Sequence, residues 1–214
     1  MSSKIKKYSK NSIKSATKSL QNGSIIIIPT DTLYGIAANA QNNKAVNNIF
    51  KVKKRPKTFP LIIFVRSIEA AKKVAKFSKL DNILAHHFWP GPITLILKKK
   101  KINIHNGDKR LSKIGIRIPK NKVVESLLEK SKMYLATTSA NLHKEKNIKK
   151  IENLKIIANN NVEIAILGKE KMTFQESTLV ETSDKEVRIL RKGQIKSNEI
   201  RKVLKLHGYL HKIK

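Results

Sequence analysis

The feature that most constrains the fold is a run of four isoleucines, Ile25–Ile28, which Pro29 ends. An uninterrupted apolar run of this length indicates a strand that is buried on both faces of a sheet. Similar short apolar runs recur at 60–65, 93–98, 115–119, 134–141, 162–168, 177–182 and 187–193. Segments with helical spacing lie between and around them, at 11–22, 43–54, 67–77, 79–88, 120–132 and 198–208. This interleaving predicts an α/β fold, and the closely spaced late strands indicate that part of the sheet is antiparallel.

The composition is that of a globular chain. Of 214 residues, 40% are hydrophobic and 29% are charged, which suffices for a core and disfavours disorder. The absence of Cys excludes disulfide scaffolds, thiolate zinc sites and Cys nucleophiles. No apolar run is long enough to span a bilayer, and the basic N-terminus lacks the apolar stretch of a secretory signal. We therefore expect one cytoplasmic domain over 1–214, with a core at about 13–200 and a basic tail at 201–214.

The formal net charge of +31 has two possible origins. Among the 46 basic residues only seven are Arg, and the other 39 are Lys. Lys, Asn and Ile share A/T-rich codons, so genome composition accounts for the excess as readily as a surface selected to bind a polyanion. In either case a strongly positive field attracts polyanionic ligands. The few Arg are more informative, because the planar guanidinium suits phosphate and carboxylate.

Polar residues crowd the end of the first buried strand. The motif PTDTLYG at 29–35 places Thr30, Asp31, Thr32 and Tyr34 at a strand's carboxyl end, where open α/β sheets bind ligands. A simple Thr/Asp turn explains the same residues.

A second motif, KVKKRPKTFP at 51–60, carries Lys53 and Arg55 at the end of a predicted helix. Two cations there suit a triphosphate, since Arg forms bidentate hydrogen bonds. They equally suit the negative end of a helix dipole.

A third and a fourth motif add hydroxyls and cations. ATTSAN at 136–141 supplies Thr137, Ser139 and Asn141, which suit phosphate oxygens or form an ordinary turn. STLVE at 177–181 and ILRKG at 189–193 supply Ser177 and Arg191.

Arg117 lies in the apolar strand GIRIP, where a cation is costly to bury without a partner. Asp31, Glu176 or a ligand carboxylate could be that partner.

The common catalytic signatures are missing. The sequence has no GxGxxG motif, no Walker loop, no His at metal-ligand spacing and no arguable Ser-His-Asp set. A reaction here must therefore run by positioning and electrostatics rather than through a protein nucleophile.

In order and spacing, the motifs together resemble the YrdC/TsaC family of threonylcarbamoyl-AMP synthases. They are PTDTLYG, KVKKRP with PL four residues on, FWPGPITLIL, GIRIP, TTSAN, STLV and ILRKG. The resemblance covers about residues 13–200, and the chain is similar to the short, single-domain form of the family. The resemblance implies a twisted, YrdC-like sheet with flanking helices around a basic, concave cavity.

The resemblance implies an enzyme that makes L-threonylcarbamoyladenylate from L-threonine, bicarbonate or CO2, and ATP, with release of pyrophosphate. This nucleotidyl transfer would use Mg²⁺ with ATP and no organic cofactor. A separate threonylcarbamoyl transferase complex would take the product to the tRNA adenosine next to the anticodon. Direct tRNA or double-stranded RNA binding is a further possible partnership, and no membrane is involved.

Residue roles follow from the same resemblance. The implied L-threonine contacts are Thr32, Arg117, Thr137 and Ser177. The implied ATP contacts are Lys53, Arg55, Ser139, Asn141, Asn147 and Arg191. Lys53 and Arg55 would act by electrostatics, with no residue reacting covalently and no protein-bound metal.

Two segments depart from the family pattern. LHKEKN at 142–147 replaces the usual Ser-Gly pair and prolines, and Phe64 stands where a polar side chain is common.

Two other functions compete with this interpretation. A pure RNA-binding module would explain the charge, but it gives no reason for Arg117 in an apolar strand. A carbamoyl transferase domain of a hydrogenase-maturation protein is disfavoured because the chain lacks Cys.

Overall fold

A computed structural model describes residues 4–141, 162–183, 186–209 and 212–213. The strands are β1 (Ile5–Lys7), β2 (Ile25–Ile28), β3 (Gly35–Asn39), β4 (Ile62–Phe64), β5 (Ala75–Lys76), β6 (Ile93–Lys99), β7 (Lys113–Arg117), β8 (Leu135–Ser139), β9 (Val162–Leu167), β10 (Thr178–Thr182), β11 (Glu186–Arg191) and β12 (Lys212–Ile213). The helices are α1 (Lys10–Gln21), α2 (Asn43–Lys53), α3 (Ile68–Val74), α4 (Lys79–Phe88), α5 (Lys122–Ser131) and α6 (Ser197–Leu206).

All described strands join one mixed sheet, in the order β1-β9-β2-β3-β8-β4-β7-β6-β10-β11-β12, with β5 paired to β6. The pairs β1–β9, β2–β9, β4–β7, β6–β10 and β11–β12 are parallel. The pairs β2–β3, β3–β8, β4–β8, β6–β7, β10–β11 and β5–β6 are antiparallel. The predicted α/β fold with a mixed sheet and flanking helices is therefore confirmed.

The four isoleucines of β2 show why the sheet carries helices on both faces. Ile25 and Ile27 pack into one core cluster, with apolar residues of α2, α3, α4 and α6. Ile26 and Ile28 pack into the other, with α1 and α5. All four are at most 2% exposed. Because successive side chains of a strand point to opposite faces, a continuous apolar run requires cover on both.

Four strands of the structure are not predicted by the sequence pattern: β1, β3, β5 and β12. The most important is β3, with the sequence GIAAN, which lies between β2 and β8 inside the sheet. Gly, Ala and Asn have low strand propensity, so packing against both neighbours, rather than local preference, determines this strand. The predicted helix at 67–77 ends at Val74, and β5 follows it directly.

The segment predicted as a basic tail begins within a packed helix. In α6, Ile200, Val203 and Leu204 are buried, while Arg201 and Lys202 are exposed. Within the described part of the chain, no helix is both long and apolar enough to cross a membrane.

Candidate active site

A cavity of about 270 Å³ brings together residues from distant parts of the sequence. Seven of the predicted site residues line it: Thr32, Arg55, Arg117, Thr137, Ser139, Ser177 and Arg191. Glu176 lines it as well, so three guanidinium groups and one carboxylate face the same space.

The turn after β2 presents Thr32 to this cavity. The Thr30 hydroxyl accepts hydrogen bonds from the backbone N–H groups of Thr32 and Leu33, at 3.0 Å each, and donates to the Leu33 carbonyl at 2.7 Å. Thr30 is therefore the local organiser of the turn, as short hydroxyl side chains often are. Thr32, 3% exposed, accepts a 3.0 Å hydrogen bond from Arg117 Nη1.

Arg117 is a buried cation whose partner is Asp31. Its Nη2 lies 2.5 Å from Asp31 Oδ1, and its Nε donates to the Gly91 carbonyl at 3.0 Å. Burial lowers the pKa of the Arg117 guanidinium and the Asp31 charge opposes that shift, so the group stays protonated. Of the partners considered from the sequence, the structure selects Asp31 within the protein. Because Arg117 lines the cavity and carries five N–H donors, it can also take a ligand oxygen.

Glu176 has a different partner, Arg191. Arg191 Nη1 donates to Glu176 Oε1 at 3.0 Å, while Nε and Nη2 donate to the Ser177 carbonyl at 3.2 and 3.0 Å. The close approach needs Gly193, since a Cβ there would lie 2.4 Å from both the Glu176 carbonyl oxygen and the Thr178 nitrogen. These contacts hold Arg191 beside Ser177 at the cavity wall.

Arg55 reaches the cavity from the end of α2. The C-cap of that helix is Lys54, whose left-handed φ of 50° turns the chain. Arg55 Nε then donates to the Phe59 carbonyl at 3.0 Å. Burial lowers the pKa of Arg55, and the positive charge of Arg191 lowers it further. Two mutually repelling guanidinium groups at one wall favour a bound anion between them.

Lys53 and Asn141 lie behind the wall and do not line the cavity. Lys53 is 1% exposed, and its ammonium donates to the Ser139 carbonyl at 2.5 Å and to the carbonyl and side-chain oxygens of Asn141. The Ser139 hydroxyl in turn donates to Asn141 Oδ1. The two cations of the K-x-R motif therefore have different positions. Arg55 lines the cavity, and Lys53 holds the Ser139–Asn141 turn. Asn147 lies outside the described residues.

The chain is similar to known proteins over most of its length. A model of the Sua5/YciO/YrdC family, described as "Telomere recombination", matches residues 18–193. A Methanocaldococcus jannaschii relative is 36% identical over 181 residues, which are 83% of this chain and 84% of that protein. The chain belongs to the Sua5/YciO/YrdC family.

Another family member, from Pyrococcus abyssi and named threonylcarbamoyl-AMP synthase, is 32% identical over 193 residues, 90% of this chain. The match spans only 57% of that relative's length. A crystal structure of P. abyssi Sua5 complexed with L-threonine superposes with a TM-score of 0.85 at 30% identity, over 94% of this chain and 59% of that one. Escherichia coli YciO shares the fold, with a TM-score of 0.81 at 20% identity over 92% of this chain and 98% of that one.

The apolar part of the cavity was largely missed from the sequence. Ile62, Phe64, Ile96 and Leu179 line it, and of these only Phe64 stands out in the sequence, where it replaces a common polar side chain. The Phe64 ring lies below Arg117, with 5.9 Å from its centroid to Cζ. These residues belong to strands β4, β6 and β10, so only strand order reveals that they share one wall.

Proposed function

We propose that this member of the Sua5/YciO/YrdC family is an L-threonylcarbamoyladenylate synthase, a nucleotidyltransferase acting on L-threonine, bicarbonate or CO2, and ATP. The observation that carries the proposal is one cavity lined by two kinds of groups. Arg117 lies there with threonine and serine hydroxyls, and Arg55 and Arg191 add two further guanidinium groups. The name of the P. abyssi relative and the L-threonine bound in P. abyssi Sua5 support the same assignment.

Arg117 and the hydroxyl-bearing residues form the proposed amino-acid subsite. Arg117 takes the threonine carboxylate, while Thr32, Thr137 and Ser177 surround the rest of the substrate. The apolar wall of Ile62 and Phe64 suits the substrate's methyl group. Because Arg117 is already held by Asp31, Thr32 and Gly91, it binds without having to be ordered first.

Arg55, Arg191 and Ser139 form the proposed phosphate subsite. The threonine amine adds to CO2 to give a carbamate, and a carbamate oxygen attacks the α-phosphorus as the bond to pyrophosphate breaks. Negative charge on the phosphoryl oxygens and the departing pyrophosphate is stabilised by the two guanidinium groups. Lys53 and Asn141 contribute indirectly, by holding the Ser139 turn. The role of Asn147 as an ATP contact stays a prediction.

We propose that Mg²⁺ enters this site with the nucleotide, held mainly by its phosphate oxygens. Glu176 is the carboxylate of the cavity lining, and one of its oxygens already accepts a hydrogen bond from Arg191. Its other oxygen would be one Mg²⁺ ligand, and the remaining ligands would be phosphate oxygens and water. When bound, Mg²⁺ would neutralise charge on the phosphates.

We further propose that the product passes to a threonylcarbamoyl transferase complex that modifies the tRNA adenosine next to the anticodon. We propose that this protein acts in the cytoplasm, where ATP and tRNA are both present. We also propose that residues 1–214 form one YrdC-like domain.

A second candidate function, polyanion binding, has an observation of its own. A surface groove of about 790 Å³ runs along the outer side of α2 and shares Arg55 with the cavity. Four exposed lysines line it: Lys44, Lys51, Lys54 and Lys57. None of its lining residues is acidic, which favours tRNA or another nucleic acid backbone at this surface.

The decisive assay is pyrophosphate release with ATP, L-threonine and bicarbonate, each omitted in turn. We expect release only when all three are present. Release that is independent of threonine, or no release at all, would contradict the synthase and leave polyanion binding as the better function.

A further inference from the structure

Two buried hydroxyl groups, those of Ser177 and Thr94, lie next to each other at the cavity wall. Ser177 lines the cavity, and Thr94 lies behind it. Thr94 Oγ1 lies 2.9 Å from Ser177 Oγ. Thr94 is 0% exposed and Ser177 is 2% exposed, and Ser177 lines the cavity. Thr94 comes from the middle of β6 and does not contact the cavity itself.

The environment of Thr94 determines which hydroxyl donates. Among the described residues, Ser177 Oγ is the hydrogen-bond partner of Thr94 Oγ1. If Ser177 were the donor, the Thr94 proton would be buried without an acceptor, which is costly. Thr94 therefore donates and Ser177 accepts.

Arg191 occupies the second acceptor position of the same oxygen. Its Nη2 donates to Ser177 Oγ at 3.0 Å, and a guanidinium group has no acceptor to offer in return. A serine hydroxyl has two lone pairs and one proton. With both lone pairs engaged by Thr94 and Arg191, the Ser177 proton is left to point into the cavity.

We propose that Thr94 is a positioning residue that, together with Arg191, fixes Ser177 as a hydrogen-bond donor toward an acceptor oxygen of the bound amino acid. This inference rests on the proposed function for the identity of that ligand. It assigns a specificity role to a buried residue that touches no substrate. Without the Thr94 proton, the Ser177 hydroxyl is free to rotate and to turn its proton toward the wall.

The test is a double-mutant cycle on L-threonine binding, measured by calorimetry. Thr94→Val removes the hydroxyl at nearly constant shape, and we expect it to weaken L-threonine binding roughly five- to tenfold. ATP affinity should be unchanged, and Thr94→Ser should keep wild-type L-threonine binding. In a Ser177→Ala background, Thr94→Val should have no further effect. Thr17→Val on α1 is the control for loss of a buried threonine hydroxyl away from the cavity, because Thr17 is 6% exposed, does not line the cavity, and its Oγ1 has no hydrogen-bond partner among the described residues. It should leave L-threonine binding unchanged.

Two results would overturn the proposal: an unchanged L-threonine affinity in Thr94→Val, or the same loss in the Ser177→Ala background. If the wild-type protein binds no L-threonine, the proposed function fails instead. The cycle is then measured on urea unfolding of the ligand-free protein. Non-additive effects of Thr94→Val and Ser177→Ala support the hydrogen bond, and additive effects overturn it.

Discussion

At the residue scale, the Arg117 guanidinium has a structural role in the fold and a proposed role in ligand binding. Its side chain is 4% exposed and donates hydrogen bonds to Asp31, Thr32 and Gly91, which come from two separate turns. A buried cation of this kind is tolerated only where its charge and its donors are matched. The contacts that make Arg117 tolerable in an apolar strand also aim it into the cavity.

Arg117→Ala should destabilise the protein by about 3 kcal/mol, because it leaves the Asp31 carboxylate without its cation. Urea unfolding measures this change. Adding Asp31→Asn should recover part of the loss, since a neutral amide is less costly to bury. Arg66→Ala is the control, since Arg66 is exposed and its removal should change the unfolding free energy by about 0.5 kcal/mol or less. Equal losses for Arg117→Ala and Arg66→Ala would contradict the ion-pair argument.

Arg55→Ala should weaken ATP binding by roughly 1.5–3 kcal/mol, the range for a hydrogen bond to a charged group. Arg55→Lys should recover only part, because the ammonium lacks the bidentate fork. Calorimetry with ATP measures both variants, and Arg66→Ala serves again as the control for loss of one positive charge. Unchanged ATP affinity in Arg55→Ala would remove Arg55 from the phosphate subsite.

The choice of amino acid tests the hydroxyl-lined subsite. Valine replaces the substrate hydroxyl by a methyl group, so it should be rejected strongly because polar groups of the site stay unpaired. Serine lacks only the methyl group and should react slowly, at a cost of roughly 1 kcal/mol or a little more. Thr32→Val should narrow the difference between threonine and valine, whereas Arg117→Ala should reduce the use of threonine and serine by similar factors. Amino-acid-dependent pyrophosphate release is the measurement, and consumption of valine by the wild-type protein would contradict the assignment.

At the element scale, the pairing of β3 with β8 builds the cavity wall. Gly35 of β3 stands opposite Ser139 of β8, and Ile36 stands opposite Thr138. A Cβ on Gly35 would lie 2.9 Å from Thr137 Cγ2, so the glycine makes room for the Thr137 side chain. Gly35 weakens the strand propensity of β3, but a bulkier residue there would displace the Thr137 side chain from the cavity wall.

Gly35→Ala should destabilise the protein by roughly 1–3 kcal/mol through overpacking and should weaken L-threonine binding. Thr137→Ser removes the methyl group that the new Cβ would meet. The double variant Gly35→Ala/Thr137→Ser should therefore recover most of the stability lost in Gly35→Ala. Thermal or urea unfolding measures the effect, and a double variant no more stable than Gly35→Ala would exclude the contact with Thr137 as the cause.

At the scale of the whole molecule, most of the positive charge that gives the net +31 is carried by Lys. Its effect on polyanion binding depends on which lysines line a groove. The groove along α2 joins four exposed lysines to the cavity through Arg55. A generally positive field attracts any polyanion, whereas a groove adds a defined path for its backbone.

Binding of double-stranded RNA should weaken log-linearly with salt, whatever the RNA sequence. Changing Lys51 and Lys54 to Ala should lower the magnitude of the salt slope by about 1 for each phosphate group that the variant no longer binds. Lys202→Ala with Lys205→Ala is the matched control, because both are exposed on α6 and lie outside the groove. Equal effects of the two pairs would assign the binding to net charge alone, and a slope near zero would exclude an electrostatic interaction.

Features that depend on local pattern could be predicted from the amino-acid sequence. The four isoleucines predicted a strand covered on both faces, and the alternation of apolar runs with helical segments predicted a mixed α/β sheet. The ordered motifs predicted the family, and seven residues singled out as ligand contacts line one cavity. These features are local because burial and turn chemistry act on neighbouring residues.

The partner of each of these residues depends on contacts between distant parts of the chain. The pairing of Arg117 with Asp31 joins positions 86 residues apart. Glu176, the other carboxylate of the chain that the sequence offered as a partner for Arg117, pairs with Arg191 instead. Lys53 and Arg55 are two residues apart in sequence, yet Lys53 holds the Ser139 turn and Arg55 lines the cavity. The strand β3 and the apolar wall of Ile62, Ile96 and Leu179 follow from strand order. Contacts between residues distant in sequence depend on strand order and on the packing of the whole sheet, which local propensity does not encode.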